Sequence, residues 1–204
     1  FNSLEQYHRF YSRVKRSRHK ISPGLRINPE FSEISQGLYN PCSPGSRLGI
    51  TAEDLKEGLP EGIEGLHFHL LFESDSYALE KVLKVVEAKF GRFFPAIKWI
   101  NMGGGHLMTR KGYDTGHLIR IIKDFRQRTG LHVILEPGSA FAWETGELVS
   151  TVEDVVTNNG IKTAILDVSF TAHMPDCLEM PYKPSVLGAG DPVEVRPVYR
   201  LGGN

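Results

Sequence analysis

The chain has 204 residues, of which 40% are hydrophobic and 24% charged, a composition typical of a globular protein that buries a sizeable core. Its 24 lysines and arginines balance 24 aspartates and glutamates, which argues against a dedicated nucleic-acid-binding protein. No run approaches the ~18 apolar residues of a membrane span. The two cysteines, Cys42 and Cys177, lie far apart, and isolated thiols of this kind favour a reducing, cytoplasmic location.

The predicted elements alternate between helices and strands through the first two thirds of the chain. A basic helix at residues 3–20 precedes a strand at 25–28, and a loop rich in proline, glycine and serine leads to a short helix at 51–59, with Thr51 as its N-cap. Further strands are predicted at 65–72, 96–105 and 131–138, and amphipathic helices at 75–90 and 115–130. This order predicts βα units and a parallel sheet.

After Gly138 the pattern changes to β-rich segments at residues 147–156, 162–170 and 193–201. We therefore predict a domain boundary near residue 140, with one domain at 1–140 and part of a second at 141–204. The chain opens on Phe1 inside a helical pattern and closes on the turn residues of YRLGGN. From both ends we expect an interior segment of a longer protein.

Polar or glycine-rich residues follow the carboxyl ends of all four predicted strands of the first domain. They are Arg26 and Asn28, His67 and His69, the glycine run (Gly103, Gly104 and Gly105), and Glu136 with Gly138. In (β/α)₈ barrels the chemistry lies at this face of the sheet. The pattern predicts an α/β fold, the C-terminal half of a (β/α)₈ TIM-type barrel, followed by part of a β-rich domain.

The glycine run requires an explanation, because each glycine in a regular element costs roughly 0.5–1 kcal/mol. A flexible loop tip is one explanation. The other is a strand end whose bare backbone N–H groups surround a phosphate. An imidazole, a carboxylate and a guanidinium at the neighbouring strand ends favour a site for a phosphorylated ligand.

These strand ends resemble those of the alanine-racemase-type pyridoxal-phosphate decarboxylases, a family that includes ornithine and diaminopimelate decarboxylases. The resemblance rests on FH at one strand end, GGG at the next and EPG at the last. The segments GLRINP, YNPCSPGSRLG, LHFHLL and TAHMPDCLEMPY are most similar to the carboxynorspermidine decarboxylases of polyamine biosynthesis. The resemblance implies a lyase that binds pyridoxal 5'-phosphate and decarboxylates carboxynorspermidine or carboxyspermidine to norspermidine or spermidine. It also implies a cytoplasmic homodimer with shared active sites, with no nucleic-acid or membrane partner.

The resemblance implies a role for each matched residue. Glu136 and His69 are the predicted catalytic residues: Glu136 would bond the pyridine nitrogen, which keeps the ring an electron acceptor, and His69 would stack on the ring. The other predicted cofactor-binding residues are Arg26, Gly103, Gly104, Gly105, Gly138 and Ser139. Two motifs depart from the family, because HLLF stands where its members have HVGS, and EPGS where they have EPGR. Ser139 can therefore replace only part of the phosphate binding that the missing serine and arginine supply.

Substrate binding is predicted for the segment TAHMPDCLEMPY. Ammonium groups that lose water must meet anions. Asp176 and Glu179, flanked by His173 and Tyr182, are therefore the predicted substrate-binding residues. A solvated acidic loop is the alternative explanation of this segment.

The family's Schiff-base lysine belongs at the end of an earlier strand. Lys98 and Lys162 stand at the beginning of predicted strands, so neither fits that position. We expect this lysine, and the family's cysteine motif contributed across the dimer interface, to lie outside residues 1–204.

Two other functions remain open from the sequence. The chain could be a non-catalytic, decarboxylase-like regulator or an inactive fragment. An HxH pair such as His67 and His69 can also bind zinc in metal-dependent TIM-barrel hydrolases. The later strand ends offer glycines and one glutamate rather than further histidines or aspartates, so this alternative ranks lower and no resident metal is predicted.

Overall fold

The computed structural model describes residues 1–34, 37–179, 181–190 and 197–203. The chain divides into two compact units, Phe1–Thr145 and Gly146–Asn204. The helices of the described ranges include none that combines the length and the apolar character needed to cross a membrane.

The first unit is built on a four-stranded parallel sheet whose spatial order follows the chain. Its strands are β1 (Gly24–Arg26), β2 (Gly65–His67), β3 (Trp99–Asn101) and β4 (His132–Ile134). The α/β class with a parallel sheet, predicted from the sequence, is confirmed, and the sheet is consistent with part of a TIM barrel.

Helices stand before, between and after these strands. They are α1 (Leu4–Lys15), α2 (Ser76–Phe90), α3 (Thr115–Thr129) and α4 (Ser139–Ala142), with 3₁₀ segments at Gly37–Tyr39 and Gly91–Ala96. Of these, α2 connects β2 to β3 and α3 connects β3 to β4. Aspartates cap both long connecting helices: Asp75 accepts the N–H of Ala78 at 2.9 Å, and Asp114 accepts that of His117 at 2.7 Å. Helix α3 ends at Gly130, which takes the left-handed conformation with φ of +71°.

The core lies between the sheet and these helices. Alternate residues of the strands and of the positions that directly follow them are fully or almost fully buried, namely Leu25, Ile27, Leu66, Phe68, Ile100 and Met102. The apolar stripe of α2 is buried as well, namely Leu79, Val82, Leu83, Val86 and Phe90. Phe125 of α3 packs edge-on against Phe94, with ring centroids 5.6 Å apart. Because side chains alternate along a strand, Arg26, His67 and Asn101 project from the opposite face of the sheet.

The helix predicted at residues 51–59 is wrong, since residues 52–57 form turns. Its N-cap does form: the N–H of Asp54 donates to Thr51 Oγ1 at 3.3 Å, and the N–H of Thr51 donates to Asp54 Oδ2 at 2.9 Å. The N–H groups of Lys56 and Gly58, however, bond carbonyls three residues earlier. Gly58, at φ of +115°, then turns the chain away before an α-helix is established.

The second unit contains a three-stranded sheet in the order β5 (Val152–Asn158), β6 (Ile161–Leu166) and β7 (Tyr199–Gly203). Strands β5 and β6 are antiparallel, and β6 and β7 are parallel. Two short helices, α5 (Phe170–His173) and α6 (Asp176–Glu179), follow β6. Part of the strand predicted at 193–201 falls on residues 193–196, outside the described residues.

Candidate active site

A polar face is formed where the four strands of the first unit end. The last residues of the strands, Arg26, His67, Asn101 and Ile134, are register partners and lie side by side. The inter-strand hydrogen bonds continue beyond these ends: the N–H of Met102 donates to the Ile134 carbonyl at 2.9 Å, and that of Glu136 to the Gly103 carbonyl at 2.8 Å. This continuation holds His69, Gly103 and Glu136 beside one another, two residues past the strand ends.

Two imidazoles and a carboxylate meet on this face. One ligand-type atom each of His67, His69 and Glu136 lies within 4.8 Å of the other two. His67 Nε2 is 3.6 Å from Glu136 Oε2, and the two imidazole centroids are 6.4 Å apart. The polar strand ends listed from the sequence therefore come together as a chemical cluster.

Asn101 connects this cluster to the glycine run. Its Nδ2 donates to Glu136 Oε1 at 2.7 Å, and its Oδ1 accepts the N–H of Gly103 at 2.9 Å. Sequence reasoning missed this residue. The signal that could have found it is its place as the last residue of a strand, two positions before a glycine on the same face.

The glycine run is packed against its neighbours rather than exposed as a loop tip. A Cβ on Gly104 would lie 2.5 Å from the carbonyl oxygen of Glu136, and a Cβ on Gly103 or Gly105 would meet the backbone of the segment that follows β2. Gly103 and Gly105 also have left-handed φ values of +70° and +82°. Close backbone approach therefore requires glycine at all three positions.

Two N–H groups of the run already have partners within the chain. That of Gly103 bonds Asn101, and that of Gly104 donates to His69 Nδ1 at 3.3 Å. The N–H of Gly105 has no hydrogen-bond partner among the residues the structure describes. It is the donor of the run that can take an anion without breaking an existing bond.

Burial sets the protonation of the two imidazoles. Loss of solvation lowers the pKa of His67, with the nearby Arg26 and His69 acting in the same direction and Glu136 opposing them. Burial likewise lowers the pKa of His69, assisted by Arg26 and opposed by Glu136. Both rings are therefore neutral at pH 7, and the formal charges of this face are the Glu136 carboxylate and the Arg26 guanidinium.

His106, one residue beyond the glycine run, is a second residue that the sequence analysis missed. It is buried, and neither ring nitrogen has a hydrogen-bond partner of good geometry. Burial lowers its pKa, while the carbonyls of Met102 and Gly103 act to raise it. The buried ring is therefore neutral at pH 7.

The predicted substrate-binding residues all lie in the second unit. Asp176 and Glu179 are the first and last residues of α6, three positions apart on one helical turn, and both are exposed. His173 closes α5, and its Nδ1 accepts the N–H of Ser169 at 3.1 Å. Tyr182 follows α6 and is also exposed.

Neither lysine that begins a predicted strand takes the position of a Schiff-base lysine in its own sheet. Lys98 immediately precedes β3 and forms an ion pair with Glu64, at the end of the sheet opposite His67. Lys162 is the second residue of β6 and lies over the ring of Tyr199, 5.7 Å from its centroid.

Comparison with solved structures defines the class of the fold. A diaminopimelate decarboxylase superposes with a TM-score of 0.67 at 22% identity, covering 87% of this chain and 45% of that one. At that identity the likeness shows the fold alone, which is that of the alanine-racemase-type decarboxylases. No family model matches the chain.

Sequence identity is higher to carboxynorspermidine and carboxyaminopropylagmatine decarboxylases. The crystal structure of carboxynorspermidine decarboxylase from Campylobacter jejuni, complexed with norspermidine, superposes with a TM-score of 0.80 at 48% identity over 92% of this chain and 47% of that one. The chain is 54% identical to carboxyaminopropylagmatine decarboxylase of Synechocystis over its whole length, and 50% identical to carboxynorspermidine/carboxyspermidine decarboxylase of Campylobacter jejuni over 93% of it. It spans 52% and 48% of these two relatives, about half their length. The resemblance to the carboxynorspermidine decarboxylases is confirmed.

Proposed function

We propose that the whole protein is a pyridoxal 5'-phosphate-dependent carboxy-lyase of polyamine biosynthesis that converts carboxynorspermidine or carboxyspermidine to norspermidine or spermidine. The observation that carries the proposal is the identity of 50% over 93% of the chain to a carboxynorspermidine/carboxyspermidine decarboxylase. The 54% identity over the whole chain to a carboxyaminopropylagmatine decarboxylase supports the same reaction class. The relatives are carboxy-lyases, so neither the metal-dependent hydrolase nor the non-catalytic regulator gains support from them.

The strand-end residues fit a phosphorylated pyridine cofactor. The Gly105 N–H and the Ser139 hydroxyl would be donors for the phosphate, and no atom lies within 4 Å of a Cβ built on Gly138. The neutral imidazole of His69 would lie against the ring. Arg26 would supply positive charge at the same face.

Glu136 would bond the pyridine nitrogen. Asn101 already occupies Glu136 Oε1, so Oε2 is the oxygen left to accept the ring N–H. A charge-assisted hydrogen bond of this kind contributes roughly 1.5–3 kcal/mol and holds the proton on the nitrogen. When bound, the cofactor supplies the electron sink for the pair released as CO₂ leaves.

For the architecture, we propose that residues 1–140 are the C-terminal half of the cofactor-binding barrel and residues 141–204 part of the β-domain. A cytoplasmic homodimer with shared active sites, without nucleic-acid or membrane partners, completes the proposal. Cys42 and Cys177 are both free thiols, which supports a reducing compartment.

The sharpest test of the cofactor's electronics is Glu136→Gln in the whole protein. We expect cofactor binding, followed by absorbance, to persist, and kcat to fall by about 10²–10³, as when one preorganised electrostatic group is removed. The glutamine keeps the shape and still offers an oxygen, but it lacks the negative charge that favours a protonated ring. Turnover near wild type with cofactor absorbance intact would reject the role.

A second candidate substrate follows from the relative of 54% identity, which is named for carboxyaminopropylagmatine. That molecule carries a guanidino group where carboxynorspermidine carries a primary ammonium. Measuring kcat/KM of the whole protein for both substrates separates the two candidates. A higher kcat/KM for carboxyaminopropylagmatine would replace the first proposal while leaving the reaction class unchanged.

A further inference from the structure

One group of the polar face has no part in the proposed binding of the cofactor. His67 Nε2 is shielded from solvent, has no hydrogen-bond partner, and lies 3.6 Å from Glu136 Oε2. His69 completes a cluster whose three ligand-type atoms are within 4.8 Å of one another. A cation can bind at this cluster. It would give the buried nitrogen a partner and would contact the carboxylate and the second imidazole as well.

We propose that the cofactor-free protein binds one divalent transition-metal ion of the zinc type through His67, His69 and Glu136, and that metal and cofactor exclude each other. The exclusion rests on the proposed function, whereas metal binding by the three residues does not.

The donor set has the chemistry that zinc requires. Two imidazole nitrogens and one carboxylate oxygen are the three protein ligands of one class of zinc site, with a fourth position left for water. Zinc–nitrogen and zinc–oxygen bonds of about 2.0–2.2 Å place neighbouring ligand atoms of a tetrahedral shell roughly 3.3 Å apart. The distance of 3.6 Å between His67 Nε2 and Glu136 Oε2 is already close to this spacing, and the ligand atom of His69 lies within 4.8 Å of both other groups.

The surroundings hold the ligands in place. Asn101 binds Glu136 Oε1 and leaves Oε2 for the metal, the outer-shell support that metal-binding carboxylates usually have. The bond from the Gly104 N–H to His69 Nδ1 is long, at 3.3 Å, and therefore easily exchanged for a metal bond. The nearby Arg26 guanidinium opposes a second cation, so we expect exchangeable rather than permanent binding.

Exclusion follows from the shared residues. His69 and Glu136 are also the residues proposed to face the cofactor ring, and they cannot serve both ligands at once. Linkage requires the effect to be reciprocal: zinc weakens cofactor binding by the same factor by which cofactor weakens zinc binding.

Zinc binding is tested on the whole protein after removal of cofactor, with zinc chloride as the probe and equilibrium dialysis as the measurement. We expect wild type to bind one equivalent that His67→Ala, His69→Ala and the isosteric Glu136→Gln each weaken tenfold or more. The matched control is His132→Ala, which removes an exposed histidine at the start of β4 and should bind as wild type does. Circular dichroism shows whether each variant is folded. Equal zinc binding by wild type and a folded Glu136→Gln variant would overturn the proposal.

Exclusion is tested by adding pyridoxal phosphate to the same protein at increasing zinc and recording the absorbance of the bound cofactor. We expect zinc to lower cofactor binding in wild type, and a chelator to restore it. Cofactor binding unchanged by a zinc ion that the three residues hold would overturn exclusion. Zinc binding with no cofactor binding at any zinc concentration would instead reject the proposed function and leave the metal site standing.

Discussion

The two units of the chain bury their sheets very differently. In the first unit, helices cover one face of the parallel sheet, and residues such as Phe68, Phe90 and Phe125 are completely buried. In the second unit, every residue of β5 is exposed, and Ala164 is the one buried apolar side chain among its described residues. Within the described residues, this sheet gains little apolar burial to offset the entropy lost on ordering. The comparison teaches that most of the folding free energy within these residues resides in the first unit.

The largest expected loss of stability comes from Phe125→Ala in the first unit. The side chain is fully buried and packs against Phe94, so its loss leaves a cavity and should lower the free energy of unfolding by about 3–5 kcal/mol. The matched change in the second unit is Val152→Ala on β5, where the valine is 54% exposed, and should cost about 0.5 kcal/mol or less. Denaturant unfolding of the whole protein measures both. Similar losses from the two variants would break the comparison.

Two glycines with nearly the same backbone conformation sharpen the comparison. Gly105 and Gly160 have φ values of +82° and +76°, but a Cβ on Gly105 would meet the Leu71 carbonyl, whereas nothing lies within 4 Å of a Cβ on Gly160. The left-handed conformation costs an alanine about 1–2 kcal/mol at either site, and overpacking adds about 1–3 kcal/mol at Gly105 alone. We therefore expect a larger drop in melting temperature for Gly105→Ala. Equal drops would show that the glycine run can relax.

The units are also expected to divide the kinetic parameters between them. If α6 binds the distal ammonium groups of the substrate, Asp176→Asn or Glu179→Gln should raise KM by about tenfold and leave kcat within about twofold, because uniform binding is lost far from the reacting bond. Glu136→Gln in the first unit should instead lower kcat and leave KM nearly unchanged. Steady-state kinetics on the whole protein gives both parameters. Unchanged KM in both α6 variants would assign this segment to a solvated acidic loop.

The smallest predicted effect is a dependence of stability on pH, which arises from a tyrosine of the first unit. The Tyr113 hydroxyl is shielded without a hydrogen-bond partner, and burial raises its pKa to about 12. Between the ordinary tyrosine pKa of about 10 and this value, the unfolded chain loses the proton first, so stability falls as the pH rises above 10. Tyr113→Phe should remove this part of the alkaline loss and change stability at pH 7 by about 1 kcal/mol or less. Urea titrations at pH 7 and pH 10.5 measure it, with Tyr199→Phe on β7 as the control. If Tyr113→Phe loses as much stability between pH 7 and pH 10.5 as wild type does, Tyr113 is not the source of the alkaline loss.

The sequence predicted the bounds of two long helices well and those of the short elements poorly, and the first helix, predicted at 3–20, ends at Lys15. Helices α2 and α3 match the predicted ranges within one residue, because aspartate caps and the apolar period agree there. The helix at 51–59 failed because a correct N-cap does not outweigh an early glycine turn. The strands of the first sheet are three residues long, whereas four, eight or ten residues were predicted. The apolar pattern continues beyond each strand into a loop that keeps only single inter-strand hydrogen bonds.

For the candidate site, residue types at strand ends predicted the histidines, the glycine run and Glu136 as neighbours. Asn101 stands at the end of a strand and was nevertheless missed. Its role depends on Glu136, a partner 35 residues away that only the pairing of β3 with β4 brings within reach. The packing requirement for the glycines was equally hidden, because it arises from the backbone after β2 and not from the residues beside them in sequence.

The agreement between spatial order and chain order in the parallel sheet has a consequence for biosynthesis. Each strand pairs with the one synthesised before it, Gly24 with Gly65, Gly65 with Trp99 and Trp99 with His132, so the sheet can grow by one strand at a time as the chain leaves the ribosome. Arg26 and the two imidazoles are then assembled before the carboxylate emerges. Within residues 1–204, the polar face therefore gains its positive charge, Arg26, long before its carboxylate, Glu136.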